Sequence, residues 1–348
     1  MVKAILKELE LRKKEFKGDT IESVYFGGGT PSILKAEAID EIVKAINEHY
    51  NVNKHAEISL EVNPDDLAVE KLEAWKHSGV NRLSVGIQSF FEEDLKWMNR
   101  AHTAGEAIEG IALVKRFFEN FTIDLIYGIP GMDHERWAKN IAIAMSYEVP
   151  HISSYALTIE PRTVFGNHQA KGKLQEMDES DMLMQFQMLI DETEKQGLMH
   201  YEISNFGKPD YFSKHNLSYW EGKSYLGVGP SAHSFNGTER SWNVSSNSKY
   251  VKALMNNDLP MTIEQLNAND RYNEFVMTGL RTCWGISLEE VTVKFGKQAR
   301  TYLEQQAQIH LNSGVLELRQ NQDGTNQLLI TRKGKFLADG IASDLFIV

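Results

Sequence analysis

Val24-Tyr-Phe-Gly-Gly-Gly-Thr-Pro-Ser32 runs from a short apolar strand straight into three glycines and a Thr-Pro pair. Glycines at the carboxyl end of a strand let the backbone approach a ligand closely and turn N–H groups toward it. The segment from Ile33 to Tyr50 has apolar residues at helical spacing, which makes the unit strand–loop–helix. Alone, such a loop is a weak signal that an ordinary βα turn also gives. A row of similar strand ends downstream tips the reading toward a site.

Those strand ends follow one another at βα spacing. Glu57–Val62 is a strand ending at Asn63-Pro-Asp-Asp66, where Pro64 stops the strand and the Asp pair suits a helix start. Leu67 to Ser78 reads as a helix closed by Gly79. Asn81–Gly86 is a strand followed by Ile87-Gln-Ser-Phe90. A short helix with Leu95 and Trp97, the Asn99-Arg-Ala-His102 turn and a helix from Ala104 to Phe118 come next. Phe121–Ile126 ends in Tyr127-Gly-Ile-Pro-Gly131, Trp137 to Tyr147 is helical, and His151–Leu157 ends near Glu160-Pro-Arg-Thr163. Strands alternating with helices give a parallel sheet, with the site at the carboxyl ends of the strands. Asn167–Gln175 reads as a polar loop, and Asp178–Gln196 as a helix whose Met182, Met184 and Met188 fill core.

From Met199 onward the chain is irregular and aromatic, through Tyr201–Phe206, His215–Trp220 and Gly227–His233. Beyond it, helices are expected over 262–280, 287–294, 297–312 and 333–342. Two short strands flank a turn at Asp323-Gly324. This is a helical, winged-helix-like module. The domain reading is 1–240 for the α/β part and 241–348 for the C-terminal module.

Composition bounds the function. The 348 residues are 42% hydrophobic and 24% charged, a globular balance with ample core. A net charge of −11 argues against an extended nucleic-acid surface, so the winged module reads as a packing or docking element. No apolar run is long enough to span a membrane, no signal peptide opens the chain, and a cytoplasmic location is expected. Residues 1–16 form a charged amphipathic helix. One cysteine, Cys283, leaves no disulfide framework and no multi-cysteine metal site.

The strand ends present Gly27–Thr30, Glu61, Gln88, Arg100, Asp124 and Tyr155–Ala156. Backbone N–H groups at Gly28 and Gly29 can hold a carboxylate or phosphate, and Arg100 can pair a carboxylate in bidentate fashion. Glu61 and Asp124 can accept from ribose hydroxyls or an amino group. The set suits a ligand that is zwitterionic at one end and a nucleoside at the other. Singly, Arg100 serves equally as a surface ion-pair partner, Asp124 as a helix cap and Gln88 as a turn residue. His215, beside Asn216 and ahead of Tyr219-Trp220, is either an axial haem ligand or a hydrogen-bonded histidine in an aromatic core loop.

Together these segments resemble the radical S-adenosylmethionine (SAM) proteins of the oxygen-independent coproporphyrinogen III oxidase group, and within it the haem chaperone (HemW) branch. The matching segments are 25–32, 61–65, 79–90, 99–103, 124–131, 154–161, 201–206, 215–220 and 227–234. The resemblance implies an incomplete (β/α)6 barrel with SAM across the strand ends. It places Gly28, Gly29 and Thr30 at the methionine end of the cofactor. Glu61, Gln88, Arg100, Asp124, Ala156 and His233 match further cofactor contacts, and His215-Asn216-x-x-Tyr219-Trp220 resembles the haem-associated motif.

The chain departs from that family in one respect. The family carries a Cys-x-x-x-Cys-x-x-Cys motif after its first barrel strand, for a [4Fe–4S] cluster, and these 348 residues hold neither. The chain as given is therefore expected to lack the cluster and the SAM cleavage it drives. A truncated or misassigned start is the expected cause. The sheet edge so left open is expected to be covered by residues 1–16 or buried in a homodimer. Three functions follow: a haem chaperone handing haem to an acceptor protein, an oxidoreductase decarboxylating coproporphyrinogen III, or a folded relative with neither activity.

Overall fold

The computed structural model describes residues 1–16, 18–159, 166, 171 and 177–348. In chain order the first half contains α1 (Val2–Arg12), β1 (Ile21–Phe26), α2 (Ala36–His49), β2 (Val52–Val62), α3 (Val69–His77) and β3 (Arg82–Gln88). It continues with α4 (Glu92–Trp97), α5 (Ala104–Phe117), β4 (Phe121–Tyr127), α6 (His134–Ser146) and β5 (His151–Ala156). β1 to β5 pair side by side and parallel, as the alternating pattern predicts. After α7 (Glu179–Lys195), the short strands β6 (Met199–Glu202) and β7 (Asn205–Gly207) close the sheet antiparallel, in the order β1-β2-β3-β4-β5-β7-β6. This is the incomplete, open barrel expected. The strand end at 160–163 lies outside the described residues, as does nearly all of the polar loop at 167–175.

The apolar strand residues Leu60, Val62, Leu83, Val85, Ile123, Leu125 and Ile152 form one buried cluster with Ile39, Trp75, Ile111 and Trp137 of the surrounding helices. Local signals set the boundaries. Thr103 and Glu106 make a reciprocal capping box at the start of α5. Gly79, at φ +96°, supplies the left-handed turn after α3. The Asp65-Asp66 pair does not open a helix directly. It lies in a 3-10 turn, and α3 starts only at Val69. Asp66 instead accepts from Ser32 Oγ at 2.6 Å, which ties the glycine loop to the end of β2.

The second half contains α8 (Lys214–Trp220), β8 (His233–Phe235), β9 (Glu239–Asn243), α9 (Asn247–Met255) and β10 (Met261–Gln265). It ends with α10 (Ala268–Leu280), β11 (Ile286–Ser287), α11 (Leu288–Phe295), α12 (Lys297–Ser313), β12 (Leu316–Gln320), β13 (Asn326–Ile330) and α13 (Ala338–Asp344). The expected helix from 262 begins at Ala268 instead. Asn267 caps it there, and Met261–Gln265 pairs with β9 as a strand. The 240/241 division falls inside β9, so the three-stranded β10-β9-β8 sheet straddles it. α10 to α13 and the β11-β13-β12 sheet enclose a second core around Val276, Leu303, Leu316, Leu328 and Ile341. That module grips the barrel: Arg281 pairs with fully buried Glu202 at 3.0 Å, and Lys335 Nζ lies 2.8 Å from His200 Nδ1.

α1 packs on α2 and α9, and it is α8 that lies against β1. Within this amphipathic helix Glu8 and Arg12 are buried and paired at 3.0 Å. Glu8 also accepts from Gly229 N at 2.9 Å, Asn243 Nδ2 at 2.8 Å and Tyr250 Oη. Arg12 donates to Gly227 O at 2.9 Å and Ser234 Oγ at 3.1 Å. No helix among the described residues is long and apolar enough to cross a membrane.

Candidate functional site

The strands alternate strictly, and the face turned away from the helical layer is polar. It carries Ser23 and Tyr25 on β1, Glu57, Ser59 and Glu61 on β2, Arg82 and Ser84 on β3, Thr122 and Asp124 on β4, and His151, Ser153 and Tyr155 on β5. Buried polar groups need partners, and most of these find one another. His151 bridges Thr122 Oγ1 and Tyr201 Oη at 2.7 Å each, and Ser153 Oγ donates to Asn205 Oδ1 at 3.0 Å. Sequence reasoning found this face only at its upper rim. Glu-Ile-Ser-Leu-Glu, Arg-Leu-Ser and Thr-Ile-Asp carry the same period-two signal, which identifies Glu57, Ser59, Arg82, Ser84 and Thr122 as well.

At the rim the structure brings most of the expected residues together. Tyr25 Oη donates to Glu61 Oε1 at 2.7 Å. Ser84 Oγ donates to Asp124 at 3.2 Å and 3.3 Å. Burial, and then the charge of Glu61, push the Asp124 carboxyl up to about 7. Arg100 Nη2 donates to Asn63 Oδ1 at 2.8 Å, while its buried Nε has no partner among the described residues. A Cβ built on Gly86 would lie 3.0 Å from Gln88 Nε2 and 3.3 Å from Arg100 Nη2, so these two side chains meet over that glycine. Ala156 ends β5 opposite Tyr127. His233 stands apart. It is exposed in β8 and stacked on Trp242 at 6.0 Å, and among the described residues no hydrogen bond joins its side chain to the strand-end group.

Gly28 and Gly29, at φ +74° and +97°, face open space, and Thr30 leads into a 3-10 turn without a side-chain cap. Gly27 is different. A Cβ there would sit 2.5 Å from Tyr25 Cε1 and 2.8 Å from Glu61 Oε1. Gly27→Ala must therefore push Tyr25 off Glu61. For the SAM that the resemblance implies at Glu61, we expect about a tenfold weaker affinity, roughly 1.4 kcal/mol, read by calorimetric titration. Unchanged affinity would mean that Glu61 has no part in the site.

The unpartnered Arg100 Nε, the desolvated Asp124 and the open cradle at Gly28–Gly29 fit a zwitterionic nucleoside. The cluster is another matter. Cys283 is the only thiol, half-buried in the C-terminal module, and burial raises its pKa. Three thiolates are needed and one is present, so these residues do not fit a [4Fe–4S] cluster. Among the described residues no group of three or more His, Cys, Asp or Glu side chains could hold a metal ion.

His215 sits in the first turn of α8. Its ring stacks on Tyr25 at 4.6 Å and 14°, and it meets Tyr219 edge-on at 5.5 Å. Nδ1 lies 3.2 Å from Ser23 Oγ, and burial lowers the imidazole pKa. In the tautomer that donates from Nδ1, Nε2 carries a lone pair, and no partner among the described residues takes it. Asn216 is half-buried on the same turn. Trp220 lies under the Arg281 guanidinium at 4.8 Å, and its buried Nε1 has no partner among the described residues.

Residues 2–142 match the Radical SAM superfamily, and residues 266–337 match the HemN C-terminal domain. The chain is similar to the heme chaperone HemW of Lactococcus lactis, 33% identical over 295 residues, covering 84% of this chain and 78% of that one. To the heme chaperone HemW of Mycobacterium tuberculosis it is 31% identical over 346 residues, covering 98% and 85%. The solved structure of coproporphyrinogen III oxidase (HemN) from Escherichia coli shares the fold, with a TM-score of 0.83 over 99% of this chain and 82% of that one at 22% identity. By its barrel, its C-terminal module and its similarity over most of its length to these chaperones, the chain belongs to the HemW family of radical SAM proteins.

Proposed function

We propose that this chain is a haem-binding chaperone in which His215 presents Nε2 to haem iron, beside a strand-end site for SAM. The observation that carries the reading is the imidazole itself. It is held by Tyr25 on its face and Ser23 at Nδ1, with its second nitrogen unengaged. Haem bound there supplies an iron that accepts the imidazole lone pair, while the chain supplies the orientation and the aromatic walls. The family as a whole uses SAM with a [4Fe–4S] cluster, and Arg100, Asp124 and the glycine loop would hold the SAM. The names of the relatives support haem as cargo and a haem-accepting protein as partner.

Titration of the protein with ferric haem, followed by optical absorption, tests the reading. His215→Ala is expected to lose the imidazole-ligated spectrum and to weaken binding at least about tenfold, roughly 1.4 kcal/mol. An unchanged spectrum and affinity would sink it. A second reading, oxidative decarboxylation of coproporphyrinogen III, draws on the polar barrel interior, which suits a carboxylate-rich substrate.

A further inference from the structure

Resting on the haem reading of His215, we infer that Glu57 is the positioning residue for that imidazole, fixing its place and setting the charge behind it. Glu57 lies on the inner face of β2, only 4% exposed. Its two carboxylate oxygens each accept one backbone N–H from the first turn of α8, Lys214 N to Oε2 at 3.1 Å and His215 N to Oε1 at 3.1 Å. Ser213 takes the next donor, Asn216 N, at 3.2 Å. A seven-residue helix has little stability of its own, so these bonds decide where it sits.

The approach to α8 is held from the same face. Arg82, 2% exposed, donates to Tyr211 O at 3.1 Å, and the charges of Arg82 and Glu57 attract one another. His215 therefore hangs between Ser23 on one strand and Glu57 on the next, and β1 pairs with β2 at exactly opposed positions, Ser23 against Glu57. Burial disfavours the imidazolium, and the Glu57 charge works the other way. Glu57 grips the backbone of His215 rather than its ring, so its charge reaches the imidazole through space, where a nearby carboxylate favours ferric over ferrous iron.

The test compares Glu57→Gln, Glu57→Asp and His215→Ala in the full chain. Hydrogen exchange over residues 213–219 is measured without haem, and ferric-haem titration and midpoint potential with it. In Glu57→Gln we expect faster exchange at Lys214 and His215, about tenfold weaker haem binding and a more positive midpoint potential. Glu57→Asp keeps the charge on a shorter arm, so exchange should rise while the potential stays near the parent value. It also serves as the second probe if the neutral variant fails to fold. Exchange that rises in Glu57→Gln while affinity and potential stay at parent values, with His215→Ala moving both, would reduce Glu57 to a helix cap and overturn the inference. Haem binding untouched in His215→Ala would overturn the haem reading itself, and the inference with it.

Discussion

Glu8→Ala is expected to destabilise the protein by about 3–5 kcal/mol, because it takes the shared acceptor from three buried hydrogen-bond donors at once and one of two carboxylates from a buried guanidinium. Arg12 would keep Glu15 at 2.8 Å and its contacts at Gly227 and Ser234, but the carboxylate buried beside it would be gone. Gly229 N, Asn243 Nδ2 and Tyr250 Oη would lose their shared acceptor. Glu8→Gln keeps acceptor atoms and removes the charge, so it should cost less, on the order of 1–3 kcal/mol. Denaturant midpoints measured at constant slope check both. A Glu8→Ala protein within 1 kcal/mol of its parent would mean that this network is idle. The expected damage is local first: α1 should release from α9 and from the 227–243 segment before the barrel opens.

The second large effect is a pH dependence centred on Asp124. Its carboxyl sits at about 7 in the fold, against 3.8 for the free group, through burial first and the Glu61 charge second. The folded state therefore holds a proton that the unfolded chain has released. The contribution to stability is fully present below pH 4 and is lost as pH rises through 7, by at most roughly 4 kcal/mol. Asp124→Asn removes the penalty. It should be more stable than the parent at pH 8 and should flatten the stability profile between about pH 4 and 7. Equal slopes for parent and variant would refute this. A ligand that donates hydroxyls or an amino group to Asp124 favours the carboxylate, so SAM affinity should rise toward neutral pH.

Much of this architecture could be read from single positions. The glycines after β1, Pro64 after β2 and the capping pair Thr103–Glu106 are local signals, and local physics decided them. The rim residues Glu61, Gln88, Arg100 and Asp124 could be gathered because successive strand ends of a parallel sheet must lie side by side. His233 could not be placed by that rule, since it belongs to the separate sheet of β8–β10. The buried pair of Glu8 and Arg12 was not legible, because helical spacing says which residues share a face but not what that face meets. The strand Met261–Gln265 looked helical because its partner β9 is not a sequence neighbour and its own residues are mostly exposed. Glu57 and Arg82 were hidden for a related reason: their importance comes from α8, which arrives from far along the chain.

That distance has a consequence for how the protein is made. Ser23 and His215 are separated by 192 residues, so the polar face of β1 cannot be covered when it first leaves the ribosome. At ~5–20 residues per second, α8 follows on the order of 10–40 s later. Throughout that interval β1, β2 and their carboxylates stand open to other chains and to any nascent-chain chaperone. The His215 helix is thus also the latch that ends the vulnerable phase of synthesis, and a ribosome stalled before residue 213 would display a barrel wall with nothing to close it.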